Sequence, residues 1–166
     1  MKKQASATKC FVCGVENENG LGMRFYETED SPPRVHAEYT VPRKFQGYPN
    51  IVHGGIIAAM MDEVTARTVM RGDPLRFVVT AKLSIRYRKQ VLVETPLKLT
   101  GWVVEDKGRV VTVAGEMRGP DGQLLAEAEA VLMEVDPSAF GDVTPEETQG
   151  WRVYPDQVEI SDGGGA

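Results

Sequence analysis

His53, Gly54 and Gly55 run directly into Ile56, Ile57, Ala58, Ala59, Met60 and Met61 and then into Asp62. A helix apolar on nearly every side cannot lie on a surface, so the remainder of the chain has to enclose it. Two glycines at its start leave backbone N–H groups unpaired and open to close approach, and the helix dipole favours negative charge there. That is an oxyanion site in outline. At a rise of about 1.5 Å per residue, Asp62 lies roughly 13 Å along the helix from His53. A site that uses both Gly54 and Asp62 is therefore more natural across a two-fold axis, where one copy's helix start faces the other copy's helix middle.

The enclosing material is strand-like. Leu21–Glu27 and Arg34–Val41 read as a hairpin around Ser31-Pro32-Pro33. Helix formers continue to about Met70 and stop near Gly72-Asp73-Pro74. Strands are expected over Arg76–Lys89, Pro96–Glu105, Arg109–Arg118 and Leu124–Val135, the last three separated by Asp106-Lys107-Gly108 and Gly119-Pro120-Asp121-Gly122. Strands on both sides of one long buried helix imply an α+β fold, an antiparallel sheet curled around that helix. At 166 residues the chain suits one core. It divides into a Cys-containing segment (1–20), a main domain (21–135) and a tail (136–166).

The net charge of −5 resides in that tail, which carries seven acids against Arg152 alone, leaving the remainder at +1. The tail packs through Phe140, Trp151 and Tyr154 or is partly disordered. No stretch approaches a membrane span, and the Met1-Lys2-Lys3-Gln4-Ala5-Ser6 start lacks the apolar run of a secretory signal, so a cytoplasmic protein is expected. From Pro74 to Val93 there is no acid, while Arg76, Lys82, Arg86, Arg88 and Lys89 are all basic. A short basic strand on a near-neutral body suits a small phosphorylated ligand better than a nucleic-acid duplex.

Glu63 has Arg67 four residues on, the favourable order for a helix ion pair, whereas Asp62 has Ala66 there. An acid without a local cation in an apolar helix is costly unless something uses it, which favours Asp62 as a base or nucleophile over a structural acid at an interface. His53 either caps the helix or acts as a general acid or base. Strict alternation along Arg76–Lys89 sets Val79, Ala81, Leu83, Ile85 and Tyr87 on the core face. Thr80, Lys82, Ser84, Arg86 and Arg88 then fall on the other, which reads as a solvated sheet surface, the reading kept for Lys82, or as a functional one, with Thr80 orienting a water and Arg86, Arg88 and Lys89 binding phosphate. Cys10 and Cys13 form a single C-x-x-C, two ligands short of a closed zinc site, so reduced thiols and no metal are expected.

The text Phe45-Gln46-Gly47-Tyr48-Pro49-Asn50-Ile51-Val52-His53-Gly54-Gly55, the helix through Asp62, and Val79-Thr80-Ala81-Lys82-Leu83-Ser84-Ile85-Arg86-Tyr87 resemble the hotdog-fold acyl-CoA thioesterase superfamily, in particular its phenylacetyl-CoA-type branch. The likeness covers about Leu21 to Val135. It implies hydrolysis of an acyl-CoA thioester to free acid and CoA by a homodimer or dimer of dimers. No cofactor is needed beyond the CoA of the substrate, and neither nucleic acid nor membrane is a partner. By this resemblance Gly54 donates to the thioester carbonyl with Gly55 beside it. Asp62 of the facing subunit is nucleophile or general base, and Thr80 holds the water. Several relatives carry Asn six residues before the histidine, where this chain has Gly47; Gln46 or Asn50 is the candidate replacement. A non-catalytic acyl-CoA-binding module and a hotdog enoyl-CoA hydratase are the alternative functions.

Overall fold

Three strands follow one another through tight turns because the connecting residues permit little else. The turns after β5 (Pro96–Asp106) and β6 (Val110–Arg118) place Gly108 at φ 77° and Gly122 at φ 72°, a left-handed conformation that glycine adopts without a Cβ clash. β6 alternates cleanly, with Val111, Val113, Gly115 and Met117 inward. In β7 (Leu124–Glu134) Ala126, Ala128, Ala130 and Leu132 are buried, small side chains that leave room for a helix.

The structure, a computed structural model, describes residues 1–142 and 150–155. Further strands are β1 (Lys2–Lys3), β2 (Tyr26–Glu27), β3 (Val35–Thr40) and β4 (Val78–Tyr87). All join one antiparallel sheet of seven strands in the order β1-β2-β3-β5-β6-β7-β4. The sheet curves around α1 (Gly54–Ala66), the single α-helix among the described residues, which is the hotdog arrangement. No helix among the described residues is long and apolar enough to cross a membrane.

Helix α1 buries Ile57, Met60, Met61 and Val64 against Leu99, Met117, Ala126 and Ala128. Removing each of these four helix side chains from water contributes about 1.5–3 kcal/mol toward holding helix to sheet. The helix comes especially close at one point. Gly101 of β5 and Gly115 of β6 are directly paired across the sheet. A Cβ on Gly101 would lie 2.5 Å from the Val64 carbonyl oxygen and one on Gly115 3.0 Å from Thr65 Cγ2. Two glycines side by side thus form a notch in which α1 rests on bare backbone.

Three local expectations need correction. The helix ends at Ala66 and not Met70: from Thr68 the chain tightens into turns, with Thr68 N–H and Val69 N–H donating to carbonyls three residues back. Only Tyr26–Glu27 of the expected Leu21–Glu27 strand is paired as a strand, although Leu21, Met23 and Phe25 are buried. Strict alternation along β4 fails as well, for a reason given below. The first twenty residues add β1 and bury Val12 and Cys13 in the main core. Of the tail, Phe140 and Trp151 stack edge-on against Phe77, Trp151 donates to the Pro74 carbonyl at 3.0 Å, and the Tyr154 hydroxyl donates to the Gly150 carbonyl. Glu146, Glu147, Asp156, Glu159 and Asp162, five of the seven tail acids, lie outside the described residues.

Candidate active site

The helix start is fixed by the loop before it. Gly47 N–H donates to the Ile51 carbonyl at 2.8 Å, His53 N–H to Phe45 at 3.0 Å and Val52 N–H to Val91 at 2.9 Å, so the loop folds back on itself and docks on the segment after β4. A Cβ at Gly47 would press to 3.3 Å on His53 Cα. Close approach of loop to histidine therefore favours glycine at this position. The Gln46 Oε1 accepts the Asn50 N–H at 3.1 Å, while Asn50, at φ 67°, accepts from Arg43 through its side chain. Both amide side chains are engaged in holding the loop.

His53 is the N-cap of α1. Its backbone is extended (φ −60°, ψ 135°), its carbonyl accepts from Ile56 and Ile57, and its Nδ1 accepts the Gly55 N–H at 3.0 Å. Of the two sequence readings of His53, this geometry displays the capping one. Capping leaves Gly54 apart: its N–H meets no acceptor among the described residues, and the residue is exposed. A Cβ there would come no nearer than 3.8 Å to the Tyr87 hydroxyl, so nothing within the chain demands glycine. The Tyr87 hydroxyl donates to the Gly54 carbonyl at 3.0 Å and ties the end of β4 to the helix start. Tyr87 was legible only as a core-face residue, since strand alternation says nothing about where its hydroxyl ends.

Thr80 Oγ1 donates to Asp62 Oδ1 at 2.7 Å. Strict alternation forbids this contact, because it sets Thr80 opposite Leu83, Ile85 and Tyr87. A bulge resolves the conflict. β4 pairs Thr80 with Leu132 but Lys82 with Val131, so Ala81 is an extra residue. Beyond it Leu83, Ile85 and Tyr87 oppose Ala130, Ala128 and Ala126, the same inward-facing set of β7 to which Leu132 belongs. Thr80 therefore shares the helix-facing side, and Val79, expected in the core, is 42% exposed beside Met133. Asp62 itself is half-buried, with a hydroxyl supplied by β4 and no cation paired to it among the described residues.

A helix opening on an exposed glycine whose N–H is left free by the cap, and carrying an acid paired to a strand threonine, occurs in a chain whose residues 49–126 match the model of the Thioesterase superfamily. An uncharacterized protein of Schizosaccharomyces pombe is 33% identical over 131 residues, covering 76% of this chain and 75% of that one. A solved thioesterase superfamily protein aligns at TM-score 0.67 with 31% identity, over 75% of this chain and 62% of the other. The chain belongs to the thioesterase superfamily. Among its superfamily relatives, the acyl-coenzyme A thioesterase THEM4 of Rattus norvegicus is 27% identical over 140 residues, 82% of this chain. The match spans only 59% of that relative's length.

The basic end of β4 is less uniform than its composition. Arg88 is bound through Nε to Glu127, and Lys89 donates to Gln123 Oε1 at 3.2 Å. Arg86, exposed and directly across the ladder from Glu127, makes no hydrogen bond or ion pair among the described residues. All three follow or flank Tyr87, and so lie at the end of the strand tied to Gly54.

The helix ion pair expected between Glu63 and Arg67 is present, Nε donating to Oε1 at 2.9 Å. Arg67 is only 2% exposed and lies between the rings of Phe25 and Trp151. Cys10 and Cys13 are both free thiols. Donation by the Cys13 thiol, helped by backbone N–H groups, pulls Cys10 down to about 6 against the opposing effect of burial and Glu63. Cys13 is pushed far up, first by that same hydrogen bond and then by burial.

Proposed function

We propose that the chain hydrolyses an acyl-CoA thioester to the free acid and CoA, and that the Asp62–Thr80 pair carries this reading. A carboxylate on a mostly apolar helix, oriented by one hydroxyl and paired to no cation among the described residues, is suited to take a proton from water or to attack a carbonyl itself. The second component is the exposed Gly54 N–H at the positive end of the helix, where the oxygen of a tetrahedral intermediate gains most from a fixed donor. In the water route, the water oxygen bonds to the thioester carbon while its proton passes to Asp62. Collapse of the intermediate breaks the carbon–sulfur bond, and the departing CoA thiolate recovers the proton.

Gly54 and Asp62 are eight residues apart on one helix, about 12 Å, too far for one small carbonyl group to meet both. The pair that acts together therefore comes from two copies. Strand β4 supports such a dimer: it is a ten-residue sheet edge, bonded on one side to β7 and open on the other, with Val79 and Tyr87 exposed along it. A long open edge is a template for pairing with another chain. Two β4 strands side by side would extend the sheet and bring each copy's helix start toward the other's Asp62.

Thiol release from short, long and aromatic acyl-CoAs, measured alongside the mass of the assembly, tests the reading. Release from at least one of them by a dimer or larger assembly is expected. No release from any overturns it. In that case retained CoA binding identifies a binding module, and conversion of an enoyl-CoA to its hydroxyacyl product without thiol release identifies a hydratase.

A further inference from the structure

The Cys10-x-x-Cys13 turn takes no part in the reaction above, yet it is built with care. Cys10 Sγ accepts the backbone N–H groups of Val12 at 3.3 Å and Cys13 at 3.4 Å, and Gly14 N–H closes the turn on the Cys10 carbonyl at 2.9 Å. Gly14 cannot be replaced without rearrangement, because a Cβ there would lie 2.2 Å from that carbonyl oxygen. N–H groups directed at a sulfur stabilise it as thiolate, the form that binds metal. Cys13 is wholly buried and Cys10 half-buried, so two thiolates here would be costly without a cation between them.

What the linear motif lacked, the fold supplies. Glu63 of α1 brings Oε2 to 3.9 Å from Cys10 Sγ, and ligand atoms of Cys10, Cys13 and Glu63 all lie within 4.8 Å of one another. Tetrahedral zinc with bonds of about 2.0–2.3 Å needs its ligand atoms roughly 3.5–3.8 Å apart, so this trio has to close by no more than about 1 Å. The other carboxylate oxygen is held by Arg67, which orients Glu63 from behind as outer-shell partners of metal ligands do. Charge also balances: two thiolates and one carboxylate are offset by a divalent ion and the buried Arg67 guanidinium.

We infer that Cys10, Cys13 and Glu63 form a site for one zinc-like divalent cation, open to a water as fourth ligand, which clamps the N-terminal turn onto the helix that bears Asp62. Soft sulfur donors with one carboxylate favour zinc over magnesium or calcium. Because Glu63 adjoins Asp62 on α1, the clamp bears on the segment of helix that presents the acid to Thr80, without touching the thioester.

The test is metal content and cobalt spectroscopy of the full chain. Protein prepared without chelator should carry one zinc per chain. Replacement by Co²⁺ should produce a sulfur-to-cobalt charge-transfer band of two-thiolate intensity. Cys10→Ser, at a half-buried position, should lose the band and weaken zinc binding at least about 100-fold in competition with a chromogenic chelator, and Glu63→Gln at least about 10-fold. Should Cys13→Ser fail to fold, the wild-type titration and these two variants still decide. Absence of stoichiometric zinc or cobalt binding in the wild type overturns the inference. So does recovery of Cys10 and Cys13 as a disulfide that resists metal loading, or full metal retention in both variants. Each readout is independent of turnover, so failure of the thioesterase reading leaves it standing and its own failure leaves that reading standing.

Discussion

Thr80 and Asp62, separated by 18 residues of sequence, meet at 2.7 Å because one extra residue in β4 turns the threonine toward the helix. An acid held by a single hydroxyl loses its chemistry when made neutral and loses only its orientation when the hydroxyl is removed. Asp62→Asn should lower kcat for thiol release about 10²–10⁴-fold with CoA binding kept, as measured by calorimetry. Thr80→Val should produce a smaller fall in kcat. Wild-type turnover in Asp62→Asn would remove the acid from the mechanism.

Gly54→Ala separates fold from function at the helix start. The added methyl finds ordinary contact distance to Tyr87, and alanine is the better helix former, so the melting curve should stay within about 0.5 kcal/mol of wild type or rise slightly. Turnover should nevertheless fall, because a methyl beside this N–H narrows the close approach that a bare glycine leaves open. A variant both stable and fully active would show that no ligand uses this N–H.

The three cations at the end of β4 should behave differently. Arg88 already pairs with Glu127, whereas Arg86 is exposed and unpaired among the described residues. Arg86→Ala should raise KM with little change in kcat, an effect that shrinks as salt screens the CoA phosphates. Arg88→Ala should do less. Steady-state kinetics at low and high ionic strength read both. Equal, wild-type KM values in the two variants would place the phosphate contact elsewhere, with Arg109 the next cation to test.

Arg76 ties β4's entrance to the β5–β6 turn, reaching Asp106 at 2.8 Å and Glu134 at 3.0 Å. The hydrogen bond and charge of Arg76, with the Gly108 N–H, hold the Asp106 carboxyl below its ordinary value. A carboxyl more acidic when folded than when unfolded contributes stability above its unfolded pKa, and that contribution is lost as pH falls through the folded pKa. Urea unfolding of wild type and Arg76→Gln should therefore differ at neutral pH, by about 1 kcal/mol or less for so exposed a network. The difference should vanish in strong acid. A gap that widens in acid would contradict this account.

Much of the architecture can be read from local pattern: the buried helix, the four long strands after it and the glycine turns between them all follow from periodicity and turn chemistry. The Glu63–Arg67 pair follows from spacing alone. Errors cluster where a tertiary contact overrides the pattern. A bulge at Ala81 is invisible in a run of alternating residues, so strict alternation places Val79 inward and Thr80 outward. β1 is two lysines, with no strand signal until Tyr26 and Glu27 offer them an edge. Glu63 as a neighbour of Cys10, and Tyr87 as a bond to Gly54, depend on contacts across 53 and 33 residues that no local spacing encodes.

The glycine notch under α1 has a consequence for the chemistry as well as for the core. With Val64 and Thr65 seated directly on the backbone at Gly101 and Gly115, the helix has no side-chain cushion there on which to slide. Asp62 sits just before those two residues, so its height above the sheet and its position along β4 are gauged from this close contact of helix and sheet. A slip by one helical turn would carry the acid about 5.4 Å from Thr80 and would also drive Cβ atoms into the sheet backbone. The alignment of acid and hydroxyl is thus enforced by sterics some distance from both.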